Sequence, residues 1–432
     1  MSSIVIASVP IHGHVTPLLA VARHLVDRGD RVRFITGARF AEQVNATGAT
    51  HIPLPPDADF DDRMDFDRVF PERAALKGAK ALAFDIVHIF VKPSRGQARA
   101  VREAHAAEPI DVLLTDPAYA GAAMLLGGPR EDRPAIVMCG VLPLGLGSRD
   151  TAPNGMGLLP VPGPIGRVRN ALLASLVMGT VFQPVIEVAN DIALEETGRP
   201  LAFNPLDWGR QAEAIVQFTV PEFEYPRSDA PAGLRFAGPL SATGSSAPLP
   251  EWWGELDGSR PVVHVTQGTI ANKDWSQLVA PAVEALAEED VLVVVATGGR
   301  PLDTLPPLPA NARAAEYLPY DELLPKTDVL VTNGGYGGVQ YALRHGVPIV
   351  TTSGKEDKPE VAARVLWSGV GRRIKRETAR PGEIRSAVRD VLRQPRFREH
   401  AARLQAAMAA SGGMHVLEEA IDGLSARVRL EA

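Results

Sequence analysis

Two Rossmann-like α/β domains, one in each half of the chain, are predicted from three observations. The chain has 432 residues, about twice the length of a usual single domain. Short runs rich in β-branched residues alternate with amphipathic stretches through both halves, the pattern of parallel strands crossed by helices. Between the halves lies EFEYPRSDAPAGLRFAGPLSATGSSAPLPEWW, dense in Pro, Gly and Ser, the composition of a domain boundary. The expected division is a first domain at 1–222, a connection at 223–260, a second domain at 261–413 and a final helix at 414–432.

Composition narrows the function classes. With 45% hydrophobic and 22% charged residues the chain is of ordinary globular type. A net charge of -6, with no run of like charge, argues against a nucleic-acid partner. The single cysteine, Cys139, sits in the apolar run AIVMCGV and reads as a small buried hydrophobe, so no intramolecular disulfide forms. The N-terminus lacks the basic, apolar and small-residue order of a signal peptide. The longest apolar stretch, ALLASLVMGTVF at 171–182, is too short to span a bilayer. A cytoplasmic protein without membrane insertion is expected.

In the first half, Ile4–Ser8 reads as a strand and Val15–Arg28 as a helix, with Leu18, Leu19, Ala22, Leu25 and Val26 on its apolar face and Gly29 closing it. The intervening P-I-H-G-H-V-T-P carries His12 and His14 at the carboxyl end of the sheet, where a titratable side chain faces a ligand crevice. Either histidine could instead pack on the helix. Residues 39–53 give a short helix and a third strand. The acidic stretch DADFDDRMDFD at 57–67 has D-x-D spacing, but it lacks a flanking strand and mixes in Phe60, Met64 and Phe66. It reads as a solvated loop near the cleft entrance, without a metal.

A long helical region at 73–106 leads to the strand Asp111–Thr115. Asp116 then falls at its carboxyl end, on the same sheet edge as His14 and in a good helix-capping position before Pro117. After a strand from 135 comes LPLGLGSRDTAPNGMGLLPVPGPIG, too long for a simple connection and suited to a pocket wall. Its leucines, Met156 and nearby Phe182 suit a lipophilic ligand, or equally the core. AIVQFT at 214–219 is the last strand expected in the first half.

The second half begins at Pro261. The strand VVHVT ends in Thr266, Gln267, Gly268 and Thr269, a small polar loop suited to phosphate oxygens, before a helix at 275–288. VLVVVAT is the next strand, ending in Gly298, Gly299 and Arg300. Asp328–Thr332 reads as a buried parallel strand. Gly334, Gly335, Gly337 and Gly338 follow where it turns into a helix carrying Val339 and Leu343. Without Cβ atoms the backbone can approach a ligand, and helix N-terminal amides can receive an anion. A second strand, Val347–Thr352, is followed by Lys355, Glu356, Asp357 and Lys358. Two adjacent strand ends thus offer a phosphate cradle and hydroxyl-binding side chains, which fits a sugar nucleotide.

The runs T-N-G-G-Y-G-G-V-Q-Y-A-L, G-V-P-I-V and E-D-K-P-E-V-A-A-R-V resemble the donor signature of inverting glycosyltransferases of the GT-B fold, the family of the macrolide and plant secondary-metabolite enzymes. The resemblance extends over essentially the whole chain, including F-E-Y-P-R…R-F-A-G-P-L, and implies that the two Rossmann-like domains face one another across a cleft. It implies that His14, three residues before Pro17, is the catalytic base in preference to His12, and that Asp116 hydrogen-bonds it. It places Tyr317, the first aromatic of EYLPYDELL, on the donor base with Leu318 beside it. Thr266, Gln267, Gly268, Thr269, Asn333, Gly334, Gly335, Gly337, Gly338 and Val339 fall around the diphosphate, and Asp357 and Lys358 at the sugar.

The implied reaction moves a sugar from a UDP- or dTDP-sugar co-substrate to a hydroxyl of a lipophilic small molecule such as a polyketide, macrolide or phenol. Neither cofactor nor metal is expected, because backbone amides can meet the leaving charge. The last helix is expected to cross back onto the first domain. Four departures bear on the donor. Asn333 stands for a histidine, Gly338 for a serine, Tyr341 for the glutamate on the ribose, and Lys358 for the glutamine after Asp357. They leave two rival readings, a non-catalytic sugar-nucleotide-binding helper and a sugar-nucleotide epimerase.

Overall fold

The computed structural model describes residues 1–64, 66–240 and 247–431. Asp65 of the acidic stretch, 241–246 of the expected connection and residue 432 of the last helix lie outside the described residues.

Seven strands form the first sheet: β1 (Ser3–Ala7), β2 (Arg31–Thr36), β3 (Thr50–Pro53), β4 (Val112–Thr115), β5 (Ala135–Gly140), β6 (Ala214–Gln217) and β7 (Leu234–Phe236), in the order 3-2-1-4-5-6-7. Six form the second: β8 (Val262–Thr266), β9 (Leu292–Ala296), β10 (Ala312–Ala315), β11 (Val329–Thr332), β12 (Ile349–Thr352) and β13 (Gly371–Ile374), in the order 10-9-8-11-12-13. Neighbouring strands run parallel in both sheets. Helices cover both faces, so β4, β5, β8 and β9 are buried throughout, which is why they read as unbroken apolar runs rather than alternating ones.

Register places the functional ends. Ala7 lies beside Thr115, so the segments leaving β1 and β4 emerge side by side. Thr332 lies beside both Thr266 and Thr351, aligning the ends of β8, β11 and β12. Strand order reverses at β1/β4 and again at β8/β11, and such switch points open the crevices in which doubly wound sheets bind ligands.

Several elements differ from expectation. The first helix is His12–Asp27, so both histidines belong to its opening turn rather than to the loop before it; Gly29 closes it with φ +93°. The region 73–106 is not one helix. It is broken into a turn at Pro71–Ala75, a helix Gly78–Ile86, a wide turn Val87–Val91 and a helix Ser94–Ala107, with Pro93 at the last break. The 275–288 helix divides into a turn Trp275–Gln277 and a helix Val279–Leu286. AIVQFT is followed by one more strand of the same sheet, β7, from inside the segment 223–260.

The last helix, Met414–Glu431, packs on the first sheet: Leu417, Ala420, Ile421 and Leu424 join the apolar cluster of Ile4, Leu114 and Val137. Among the described residues no single helix is long and apolar enough to cross a membrane. The pair Gly163–Thr180 and Gln183–Thr197, bent by 62°, comes nearest.

Candidate active site

The first wall of the cleft is built around a buried histidine–carboxylate pair. His14 Nδ1 lies 2.8 Å from Asp116 Oδ1, with His14 8% exposed and Asp116 wholly buried. Asp116 is fixed on every side. Its Oδ2 accepts from the Val9 amide at 3.0 Å, and its Oδ1 also accepts from the Ala118 amide at 2.8 Å, the capping role expected before Pro117. With Nδ1 on the carboxylate, Nε2 is left as the acceptor. Burial alone would lower the His14 pKa, but the adjacent Asp116 charge and hydrogen bond, with Asp357 and Glu356 farther off, raise it above the ordinary imidazole value. Among the described residues His12 has no such partner. Its amide donates to Asp62, its ring approaches the Thr16 hydroxyl, and burial lowers its pKa.

The second wall is mostly backbone. Gly335 caps the helix Tyr336–Arg344 and, having no side chain, makes no cap hydrogen bond to the helix's leading amides. A Cβ built on Gly335, Gly337 or Gly338 would meet nothing within 4 Å, so all three face open space. Beside them, Thr266–Thr269 turns through Gly268 at φ +72°, whose amide donates to Thr266 Oγ1 at 3.1 Å. Asn333 Nδ2 donates to the Gln267 carbonyl at 2.8 Å and so staples the β8 and β11 loops together. The Gln267 side chain is spent inside its own loop, on Ala271, Asp274 and Val279.

At the end of β12, Asp357 and the buried Lys358 reach the cleft, and Lys358 Nζ pairs with Glu356. Burial, reinforced by Glu356 against Lys358, pushes the Asp357 carboxyl up to about 6. Glu356 has φ +61°, the only positive value among the described non-glycine residues. A left-handed side-chain-bearing residue costs about 1–2 kcal/mol, and such strain collects at functional sites.

These two walls enclose one cavity of about 1570 Å³. His14, Thr266, Gln267, Gly268, Thr269, Tyr317, Leu318, Asn333, Gly335, Gly337, Gly338, Asp357 and Lys358 all line it. Tyr317 is 51% exposed and lies over Gly299, where φ is +90° and a Cβ would strike its hydroxyl. The Leu318 side chain packs into the apolar cluster beneath.

Asp116 and two of the expected donor residues do not line it. Asp116 stands behind His14. The Val339 side chain is wholly buried in the core, and its amide is used within the helix. Gly334, at φ +90°, faces β12, where a Cβ would come 2.8 Å from Thr351 Oγ1. Tyr341, in place of the usual glutamate, is 6% exposed and its hydroxyl donates to Asp321.

Toward the first domain the lining turns apolar, with Ile86, Phe90, Met124, Met138, Phe182 and Val185. Trp208 lines it too, its Nε1 donating to the Pro117 carbonyl at 3.1 Å. Leu144, Leu146 and Met156 bring the 141–162 loop into the same wall. In the acidic stretch Asp57 pairs with Arg99, Asp61 and Asp62 pair with Arg39, and Asp59 accepts from the Ala38 amide. Among the described residues no group of three or more His, Cys, Asp or Glu side chains could hold a metal ion. Cys139 is buried and its thiol pKa raised, as for a core residue.

Sequence reasoning missed a buried cluster, Glu224, Glu360 and Arg364, 2%, 5% and 1% exposed. The available signal was a Glu and an Arg four residues apart, flanking Val361, Ala362 and Ala363 on a buried helix.

Residues 280–417 match the family model described as the erythromycin biosynthesis protein CIII-like C-terminal domain. The chain is 42% identical over 428 residues to 4'-demethylrebeccamycin synthase of Lentzea aerocolonigenes, covering 98% of this chain and 99% of the relative. It is 34% identical over 442 residues to UDP-glycosyltransferase 2 of Phaeomoniella chlamydospora, covering 98% and 96%. In fold it matches the kitacinnamycin glycosyltransferase, with a TM-score of 0.72 at 23% identity over 97% of both chains. The chain belongs to the GT-B glycosyltransferases of natural-product glycosylation.

Proposed function

We propose that the protein transfers a sugar, with inversion and without a metal, from a UDP- or dTDP-sugar to a hydroxyl of a lipophilic small molecule. The observation that carries this reading is the placement of a carboxylate-backed imidazole and an open glycine cradle on opposite walls of one cavity. His14 Nε2 takes the proton of the acceptor hydroxyl as its oxygen attacks the anomeric carbon from the face opposite the diphosphate. Asp116 stabilises the imidazolium that forms. The leaving diphosphate is met by the amides at Gly335–Gly338 and by the Thr266–Thr269 turn.

Tyr317 stacks on the base, and Asp357 and Lys358 hold the sugar hydroxyls. The apolar lining from Ile86 to Trp208 takes the body of the acceptor, as ligand pockets with few convergent polar groups do. The complete His14–Asp116 pair favours catalysis over a non-catalytic helper.

The test is incubation with UDP-glucose and dTDP-glucose against a panel of polyketide and phenolic alcohols, in buffer with chelator. A new β-glycoside from either α-linked donor is expected. Retained configuration, or loss of activity on chelation, would overturn the mechanism. Donor turnover without any acceptor product would point to the epimerase.

A further inference from the structure

We propose that Glu360 is a positioning residue that ties the acceptor wall to the donor end of the cleft, so that the second domain sets the shape offered to the acceptor; this rests on the transferase reading above. Glu360 lies in the first turn of the helix Lys358–Trp367, with Pro359 between it and the donor-facing Asp357 and Lys358. Its Oε1 accepts from the amides of Gly155 and Gly157 at 2.9 and 2.8 Å. Both glycines have positive φ, +94° and +57°, and a Cβ on Gly157 would come 2.6 Å from the Pro359 carbonyl oxygen.

Two amides converging on one carboxylate oxygen make an anion seat. Here the first domain supplies the seat and the second domain fills it.

The other oxygen, Oε2, accepts from Arg364 at 2.9 Å. Arg364 continues to Glu224 at 2.9 Å and to the Leu144 carbonyl at 3.2 Å, while Glu224 Oε1 accepts from the Leu144 amide at 2.9 Å. The loop is therefore fastened near both ends, at Leu144 and at Gly155–Gly157, to charges carried by or paired to one donor-side helix. Between those fastenings and beside them the loop lines the cavity. A buried ion cluster adds little net stability over apolar packing, but when every member is paired it admits few geometries. Its role here is to fix where the loop sits.

The test combines hydrogen exchange over residues 153–158 with kinetics of the full chain, using UDP-glucose or dTDP-glucose and 4-methylumbelliferone as acceptor probe. In Glu360→Gln the amides of 155 and 157 are expected to exchange about tenfold faster, and the acceptor KM to rise about tenfold, while the donor KM moves by less than about twofold. Donor hydrolysis without acceptor should rise relative to transfer, because a loosened wall admits water. Gly155→Ala strains the same seat without touching the ion cluster, should reproduce the split, and covers failure of the first variant to fold. Unchanged exchange, or donor and acceptor KM rising together, would overturn the tie. Absence of transfer by the unaltered protein would instead sink the transferase reading, and the exchange arm would still decide whether Glu360 holds the loop.

Discussion

The two walls of the cleft are made in opposite ways. Around His14 and Asp116 the polar atoms of the carboxylate are all engaged, by the imidazole, the Val9 amide and the Ala118 amide, in a setting closed to solvent. Around Gly335–Gly338 the helix end is bare, and added Cβ atoms would find empty space. A group that must hold and release a proton gains from a fixed, pre-oriented partner. A group that must receive a bulky dianion gains from vacancy and exposed amides. The first wall is therefore vulnerable to changes of charge, and the second to changes of volume.

The largest expected break in that comparison is His14→Ala. Removing a general base should lower turnover by about 10²- to 10⁴-fold, with the affinity for UDP or dTDP nearly unchanged; steady-state rates and calorimetric titration measure the two. Asp116→Asn should cost less, about tenfold to a hundredfold, and should also move the pH profile. The base must be neutral to act, so kcat/KM rises with pH through the His14 pKa, which stands above the ordinary value. Without the Asp116 charge, burial prevails and the acid limb should shift to lower pH. A limb that stays in place would remove Asp116 as its cause.

On the other wall, Gly337→Val should weaken nucleoside diphosphate binding by about tenfold and leave the acid limb where it was. Gly337→Ala sharpens the point. Alanine is the better helix residue by roughly 0.5–1 kcal/mol, so the melting temperature should rise while the nucleotide-induced thermal shift shrinks. Both moving in the same direction would place the glycine outside the cradle.

The smallest effect expected is on stability. The Asp357 carboxyl, raised from 3.8 to about 6, favours folding most below its unfolded pKa, and that advantage is lost as pH rises through about 6. Asp357→Asn should thus be more stable than the parent at pH 8, by up to about 2 kcal/mol, with the difference closing toward pH 4. The same variant should bind the intact sugar nucleotide much more weakly while binding the free diphosphate as before. Equal losses for both would take Asp357 away from the sugar.

Much of this was legible in the sequence because parallel strands buried on both faces leave continuous apolar runs whose ends are marked by glycine and small polar residues. His14, Asp116, Gly335, Gly337 and Gly338 all fall at such ends. The Val339 side chain is buried because a helix following a glycine turn packs its next apolar side chain on the core, whatever the ligand outside. Gly334 faces β12 for a similarly local reason, its left-handed backbone turning it toward Thr351. The helical region expected at 73–106 is present in several pieces, because composition does not reveal the wide turn before Pro93. β7 was missed because three residues at a sheet edge carry almost no periodicity.

By itself the sequence determined the alternation of strands and helices, the two sheets and the residue types at their carboxyl ends, since strand period, glycine at a turn and an aspartate before proline are local properties. Only the tertiary structure decided which nitrogen of His14 meets Asp116, that Tyr341 gives its hydroxyl to Asp321, and that Glu360 reaches across to Gly155 and Gly157. Those contacts join residues from 20 to more than 200 positions apart, and their direction depends on how helices pack on sheets and how the two domains close, which no window of neighbouring residues encodes.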